Sequence, residues 1–137
     1  MTKQQVFKFI KKQKTALISS VDGNGFPNTK AMLAPRKIQG KDFYFSTNTS
    51  SVRVEQYRSN PNACIYFFKR GLFSYTGVML VGTMSVLTDQ NTKNELWRAS
   101  DTIFYKQGKT DPDYCVLKFT ACKCRVYKDL KTDWCDI

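Results

Sequence analysis

Hydrophobic and polar positions in the middle of the chain predict a strand, a turn, a helix and a second strand. Phe43–Ser46 is an aromatic run of the kind that forms buried strands. Thr47–Ser51 holds five small hydroxyl or amide residues, which favour turns and helix caps because they bond local backbone. One of its last two serines caps the helix, which ends at Asn60-Pro61 because a residue before proline leaves helical geometry. Ala63–Phe68 is then the second buried strand.

The N-terminal part of the chain predicts a helix followed by three strands. Lys3–Lys14 is amphipathic at helical spacing, with lysines facing outward. Thr15–Val21 is a strand, and Asp22–Gly25 is a hairpin turn whose glycines accept positive φ. The return strand is Asn28–Ala34, and Lys41–Ser46 follows after another short turn. These three strands are expected to form a meander.

Two long strands are predicted in the C-terminal half, Phe73–Thr88 and Tyr114–Tyr127. Two glycines interrupt the first, which indicates a bulge or a close backbone approach. The inward positions of the second change register near Ala121, which predicts a bulge after which Cys122 turns inward. With six strands and a few short helices, residues 1–137 are expected to form one mainly β domain, a small six-stranded barrel.

Composition narrows the chemistry that the chain can perform. The sequence has 137 residues, no histidine and five cysteines. Lack of histidine excludes the usual hydrolase triads, Cys/His zinc sites and histidine-ligated haem, so an enzyme here must take its chemistry from a cofactor. No metal site is predicted. An odd cysteine count without a signal peptide predicts reduced thiols and a cytoplasmic protein, and no apolar run is long enough to span a membrane.

A formal charge of +11 favours anionic ligands of some kind. Nucleic acid is one such ligand, and a basic β-barrel that grips it through lysines and aromatics is an alternative function. The lysines are nevertheless spread along the chain, with no dense patch beyond Lys8–Lys14. A solvated basic surface explains the charge equally well, so nucleic acid is not the expected partner.

Arg53 indicates where an anion would bind. It falls in the first turn of the predicted central helix, where the helix dipole makes a cation unfavourable by roughly 0.3–1 kcal/mol. A nearby anion reverses that sign, and free helix N–H groups, hydroxyls and a guanidinium make a suitable phosphate site. The alternative is that Arg53 is simply solvated.

The motif F-S-T-N-x-x-S-x-R-x-x-Q, with N-P after it, resembles the flavin-mononucleotide-binding split barrels of the pyridoxamine 5′-phosphate oxidase superfamily. The resemblance continues towards the C-terminus in the small general-stress-protein branch. The segments that carry it there are Gly82-Thr83, Asp89, Leu96-Trp97, Gly108, Asp111–Tyr114 and Trp134.

This resemblance implies a Greek-key-like split barrel that binds FMN at the interface of a homodimer. Thr47, Ser51 and Arg53 would hold the flavin phosphate, helped by Lys30 or Arg36 from the second strand and its turn. Backbone groups of the same motif would face the isoalloxazine ring. That segment contains Phe45, Ser46, Thr47 and Asn48.

Three functions are consistent with these observations. The first is an FMN-dependent oxidoreductase or reductase acting on an unknown small molecule, with F420 as a possible replacement for FMN. The second is a non-catalytic flavin-binding protein for stress or redox sensing. The third is the basic nucleic-acid-binding barrel. Pyridoxamine phosphate oxidation itself is not expected, because the C-terminal segment that binds substrate in true oxidases is missing from the sequence.

Overall fold

The computed structural model describes residues 1–137 and contains three α-helices, two short 3₁₀ helices and eight strands. The α-helices are α1 (Lys3–Lys11), α2 (Val52–Ser59) and α3 (Gln90–Leu96), and the 3₁₀ helices are Ala99–Ile103 and Gly108–Thr110. The strands are β1 (Thr15–Val21), β2 (Pro27–Leu33), β3 (Lys37–Gln39), β4 (Asp42–Asn48), β5 (Asn62–Arg70), β6 (Tyr75–Leu87), β7 (Tyr114–Lys128) and β8 (Lys131–Cys135).

All strand pairs are antiparallel, and the sheet runs in the order β2-β1-β5-β6-β7-β4-β3, with β8 also paired to β7. Ile18 of β1 and Phe43 of β4 belong to the same buried core although their strands are four positions apart. The sheet must therefore curl around that core. No helix is both long enough and apolar enough to cross a membrane.

The mainly β class is confirmed, but the strand count and the meander are not. Only β1 and β2 form the predicted hairpin, whereas β4 lies at the far side of the sheet against β7 and β3. Two strands that were not predicted, β3 and β8, raise the count from six to eight. Asn24-Gly25 gave a clear turn signal, but the β7–β8 turn is made by Asp129 and Leu130, which adopt positive φ without any glycine.

The bulge in β7 is confirmed, with a difference in detail. Gly82 pairs with Ala121 and Val81 pairs with Lys123, so Cys122 is the extra residue. Cys122 is exposed, contrary to the inward position expected for it, because the bulge places two successive side chains on the outer face. Burial resumes at Cys124, after the exposed pair Cys122 and Lys123.

Gly82 is required where β6 passes the bulge. A Cβ built at this position would lie 2.0 Å from the carbonyl oxygen of Thr120, which is backbone and cannot rotate away. The glycine therefore permits the close approach of the two strands. Gly77 has a related role, because its missing side chain leaves room for the hydroxyl of Tyr66.

We expect Gly82→Ala to lower the free energy of unfolding by about 1–3 kcal/mol, because the added methyl group forces the two backbones apart. Gly23→Ala is the matched control, since a Cβ there meets no atom within 4 Å. Urea denaturation followed by fluorescence measures both. Equal stabilities for the two variants would show that the β6–β7 contact has room for a side chain.

Candidate functional site

The candidate site lies where β4 ends and α2 begins, and the core fixes both elements. Phe45 of β4 and Val54 and Tyr57 of α2 are buried in the main core. The Tyr57 hydroxyl also donates a hydrogen bond of 3.0 Å to the Ser19 carbonyl of β1. The helix is thus held against the sheet, and its first turn has a defined position.

Two buried polar atoms in this first turn have no hydrogen-bond partner, Ser51 Oγ and Arg53 Nε. Ser51 is the N-cap residue, yet its side chain makes no capping bond. The Arg53 guanidinium makes one contact, from Nη2 to Thr47 Oγ1 at 3.3 Å. Buried polar groups are nearly always paired, so these two orphans indicate a site for a missing partner. Of the two residues, Arg53 lines the cavities beside this turn and Ser51 does not.

Asp113, just before β7, shapes the turn between β4 and α2. Its Oδ1 accepts hydrogen bonds from Thr49 Oγ1 and the Ser50 backbone N–H, both at 2.9 Å, and its Oδ2 accepts one from Ser50 Oγ. The bonds from Ser50 and then Thr49 lower the pKa of this carboxyl. The sequence assigned Asp113 no role in the site, because its partners lie more than 60 residues away along the chain.

A cavity of about 220 Å³ opens beside this turn and brings together most of the predicted site residues. A second cavity of about 250 Å³ shares Lys30 and Arg53 with it and extends towards Ser20 and Gln56. Met32 and Tyr105 also line the first cavity, and the sequence did not identify them. The predicted residues that line it are Lys30, Arg36, Phe45, Ser46, Thr47, Asn48 and Arg53.

Three of the predicted residues use their side chains within the protein. The ring of Phe45 is buried in the core, so only its backbone can face a ligand. Ser46 Oγ lies 3.3 Å from the hydroxyl of Tyr114, and Asn48 Nδ2 donates to Ser50 Oγ at 2.8 Å.

Arg36 is held by an ion pair that the sequence did not reveal. Its guanidinium donates to both carboxylate oxygens of Asp101 and to the Leu96 carbonyl. Burial would raise the pKa of Asp101, but hydrogen bonds from Arg36 and from the Arg98 backbone outweigh it and leave the pKa lowered. Of the two basic residues considered beside Arg53, Lys30 is the one without a carboxylate partner.

The fold and the site together define a small antiparallel β-barrel protein with a basic, polar cavity at the start of a helix. A sequence model of the family described as pyridoxamine 5′-phosphate oxidase matches residues 2–128, and the chain belongs to this family. Within the family it falls in the general-stress-protein branch, as the resemblance implied.

Solved structures support this assignment. A protein from Clostridium acetobutylicum, related to general stress protein 26 of B. subtilis and of the pyridoxinephosphate oxidase family, is 36% identical, with a TM-score of 0.81. The similarity covers 96% of this chain and 91% of that one. General stress protein 26 from Bacillus anthracis is 21% identical over 96% of both chains, with a TM-score of 0.74. The split-barrel fold is therefore confirmed.

A more distant structural neighbour is named for the ligand that it binds. A heme binding protein from Mycobacterium smegmatis has a TM-score of 0.71 at 11% identity, over 92% of this chain and 54% of that one. At this identity the likeness shows a shared fold alone. A comparison with curated proteins gave no match.

Replacing Asp101 with Asn should cost about 3 kcal/mol of stability at neutral pH, because it leaves the charge of the largely buried Arg36 side chain unpaired. The Asp101 side chain is 3% exposed. Its pKa is lower in the folded protein than in the unfolded chain, so its contribution is complete above the unfolded pKa, about 3.9, and is lost as pH falls through the folded value. The difference between wild type and variant should shrink in that acidic range.

The control is Glu95→Gln, which removes the more exposed ion pair with Lys37. Exposed pairs contribute up to about 1 kcal/mol, so this variant should remain close to wild type. Urea denaturation of the three proteins between neutral and acidic pH measures the effect. An Asp101→Asn variant as stable as Glu95→Gln would contradict the structural role given to the Arg36–Asp101 pair.

Proposed function

We propose that the protein binds FMN, with the flavin phosphate at the start of α2. Ser51 Oγ and Arg53 Nε carry this proposal, because they are buried polar atoms without a partner. A phosphate has several acceptor oxygens, so it can receive hydrogen bonds from both residues at once. Thr47 lies beside Arg53 and Lys30 lines the same cavity, so both would contribute to the phosphate site.

Electrostatics favour the same assignment. The first N–H groups of a helix lack intrahelical partners and form the positive end of its dipole. Arg53 adds a further positive charge at that end. The acidic residue of the same helical turn, Glu55, is exposed, and the Asp113 carboxylate is engaged by Thr49 and Ser50. An anion reverses an otherwise unfavourable arrangement. Since a phosphate alone would fill little of the two cavities, the remaining space, next to the backbone of Phe45–Thr47, would take the isoalloxazine ring.

We further infer an oxidoreductase of unknown substrate as the function of the loaded protein. When bound, FMN supplies hydride or single-electron transfer, for which the protein need not provide an acid or a base. The residues described here bind and orient the cofactor. A non-catalytic flavin-binding protein would use the same residues, and turnover of a reducible substrate separates the two. Haem, suggested by the name of one neighbour, is less suitable because the chain has no histidine.

We propose a homodimer because one chain alone does not enclose a flavin-sized site. Each of the two cavities is smaller than the roughly 300–1,000 Å³ that ligand pockets usually offer. β2, which contributes Lys30, is an edge strand with nearly every residue exposed. A second chain covering this edge would protect its free backbone groups and enclose the flavin.

Arg53→Ala should weaken FMN binding by about one to two decades, because a charge-assisted hydrogen bond contributes roughly 1.5–3 kcal/mol. Riboflavin lacks the phosphate, so its binding should change little. The stability of the apoprotein should be unchanged or slightly higher. Titration of the apoprotein with both ligands, followed by fluorescence quenching, measures the two affinities.

The control is Arg58→Ala, which removes an exposed arginine from the last turn of the same helix. It lowers the net charge by the same amount and should leave FMN affinity near the wild-type value. Equal losses for FMN and riboflavin in Arg53→Ala would assign Arg53 to the ring or to the fold. No loss for either ligand would make Arg53 an ordinary solvated arginine.

In solution the protein should have twice the 15.8 kDa mass of one chain at micromolar concentration. Light scattering coupled to gel filtration measures this mass with and without FMN. If the two chains share the site, dilution into the monomeric range should lower FMN affinity. A monomer that binds FMN with undiminished affinity would refute the shared site and leave the phosphate assignment intact.

A further inference from the structure

Two cysteines face each other across the last hairpin of the sheet. Cys124 of β7 and Cys135 of β8 are direct antiparallel partners. Such partners have Cα atoms roughly 4.5–5.5 Å apart, inside the 4.4–6.8 Å that a disulfide usually spans. Cys124 is fully buried and Cys135 packs against the same core, so both side chains lie on the inner face of the hairpin.

The other three cysteines have no such arrangement. None of them has a cysteine as its strand partner. Cys64 lies on β5, Cys115 is buried near the opposite end of β7, and Cys122 is exposed in the bulge. The hairpin therefore holds the one cysteine pair whose backbone positions already suit a disulfide.

We propose that Cys124 and Cys135 are an oxidation site, at which a hydroperoxide converts the two thiols into a disulfide that ties β8 to β7. The reaction needs no metal or flavin. Each sulfur gives up one electron, and the peroxide O–O bond takes both and breaks. With hydrogen peroxide, the two thiols and one peroxide yield one disulfide and two molecules of water.

The surroundings of the two sulfurs indicate the order of the steps. Cys135 is half-buried, so peroxide reaches it before Cys124. Its sulfur attacks one peroxide oxygen, the O–O bond breaks, and the thiol proton joins the departing hydroxide as the first water, which leaves a sulfenic acid. Burial raises the pKa of Cys124 to about 12, with a smaller contribution from Cys135, so Cys124 is a poor first nucleophile. Its sulfur then attacks the sulfenic sulfur, and its proton leaves with the hydroxide as the second water.

The disulfide would change the behaviour of the C-terminal strand. β8 pairs with β7 alone, and four of its five residues are exposed. A terminal strand with so few buried contacts opens more easily than the core. A covalent bond at its far end, opposite the Asp129-Leu130 turn, closes the hairpin at both ends and prevents this opening. Reduction by a cellular thiol would restore the freedom of the strand.

The test treats the full-length protein with stoichiometric hydrogen peroxide and maps its disulfides by mass spectrometry without reduction. Two of the five thiols should be lost, in a single intramolecular link between Cys124 and Cys135. Hydrogen exchange of the β8 amides should slow by about tenfold or more. Both changes should reverse with dithiothreitol.

Cys135→Ser should abolish the link and the slower exchange, while Cys122→Ser, the matched control at an exposed cysteine, should retain both. Cys124→Ser changes the core, so Cys135→Ser carries the conclusion if Cys124→Ser fails to fold. Intermolecular disulfides through Cys122, or oxidation of Cys135 to a sulfinic acid without a link, would overturn the proposal. These outcomes are measured on the apoprotein and do not depend on the proposed flavin.

Discussion

The close approach of Gly82 to the Thr120 carbonyl is the contact on which the rest of the sheet depends. β7 pairs with β6 along nearly its whole length, but its other edge changes partner at the bulge. Residues 114–120 pair with β4, and residues 124–128 pair with β8. The extra residue, Cys122, lies between the two partners and gives the bend that lets one strand serve both. A side chain on Gly82 would disturb this arrangement at its centre.

The candidate site depends on a second constraint, which is that buried polar atoms need partners. Asp113 fixes the turn before α2 and Tyr57 fixes the helix, and within this turn Ser51 Oγ and Arg53 Nε are buried without a partner. Leaving a buried donor or acceptor unpaired costs about 1–3 kcal/mol. The apoprotein carries this cost in its first helical turn, and a bound anion would remove it. Sites for ligands are commonly held ready in this way at some expense of stability.

The sequence predicted what local chemistry determines. Thr47, Ser51 and Arg53 lie within seven residues of one another, so cap, turn and helix signals sufficed to associate them. Asp113 and Asp101 were missed as partners because they reach the site only through the long-range pairing of β4 with β7 and through the ion pair with Arg36. No local signal encodes such contacts.

The errors in strand order have the same origin. The short turn at Gln39-Gly40 favoured a meander, yet it joins β3 to β4, and β4 pairs with β7, where Phe43 packs against Phe119. The β7–β8 hairpin was missed because Leu130 adopts positive φ, a conformation for which sequence rules expect glycine or asparagine.

Strand β8 carries Cys135, one partner of the proposed oxidation site. Ten residues of β7 separate Tyr114, beside the proposed flavin site, from Cys124, roughly 30 Å along an extended strand. The two proposed chemistries therefore occupy opposite ends of β7, and oxidation at Cys124 changes the C-terminal strand without touching the residues that would hold the phosphate.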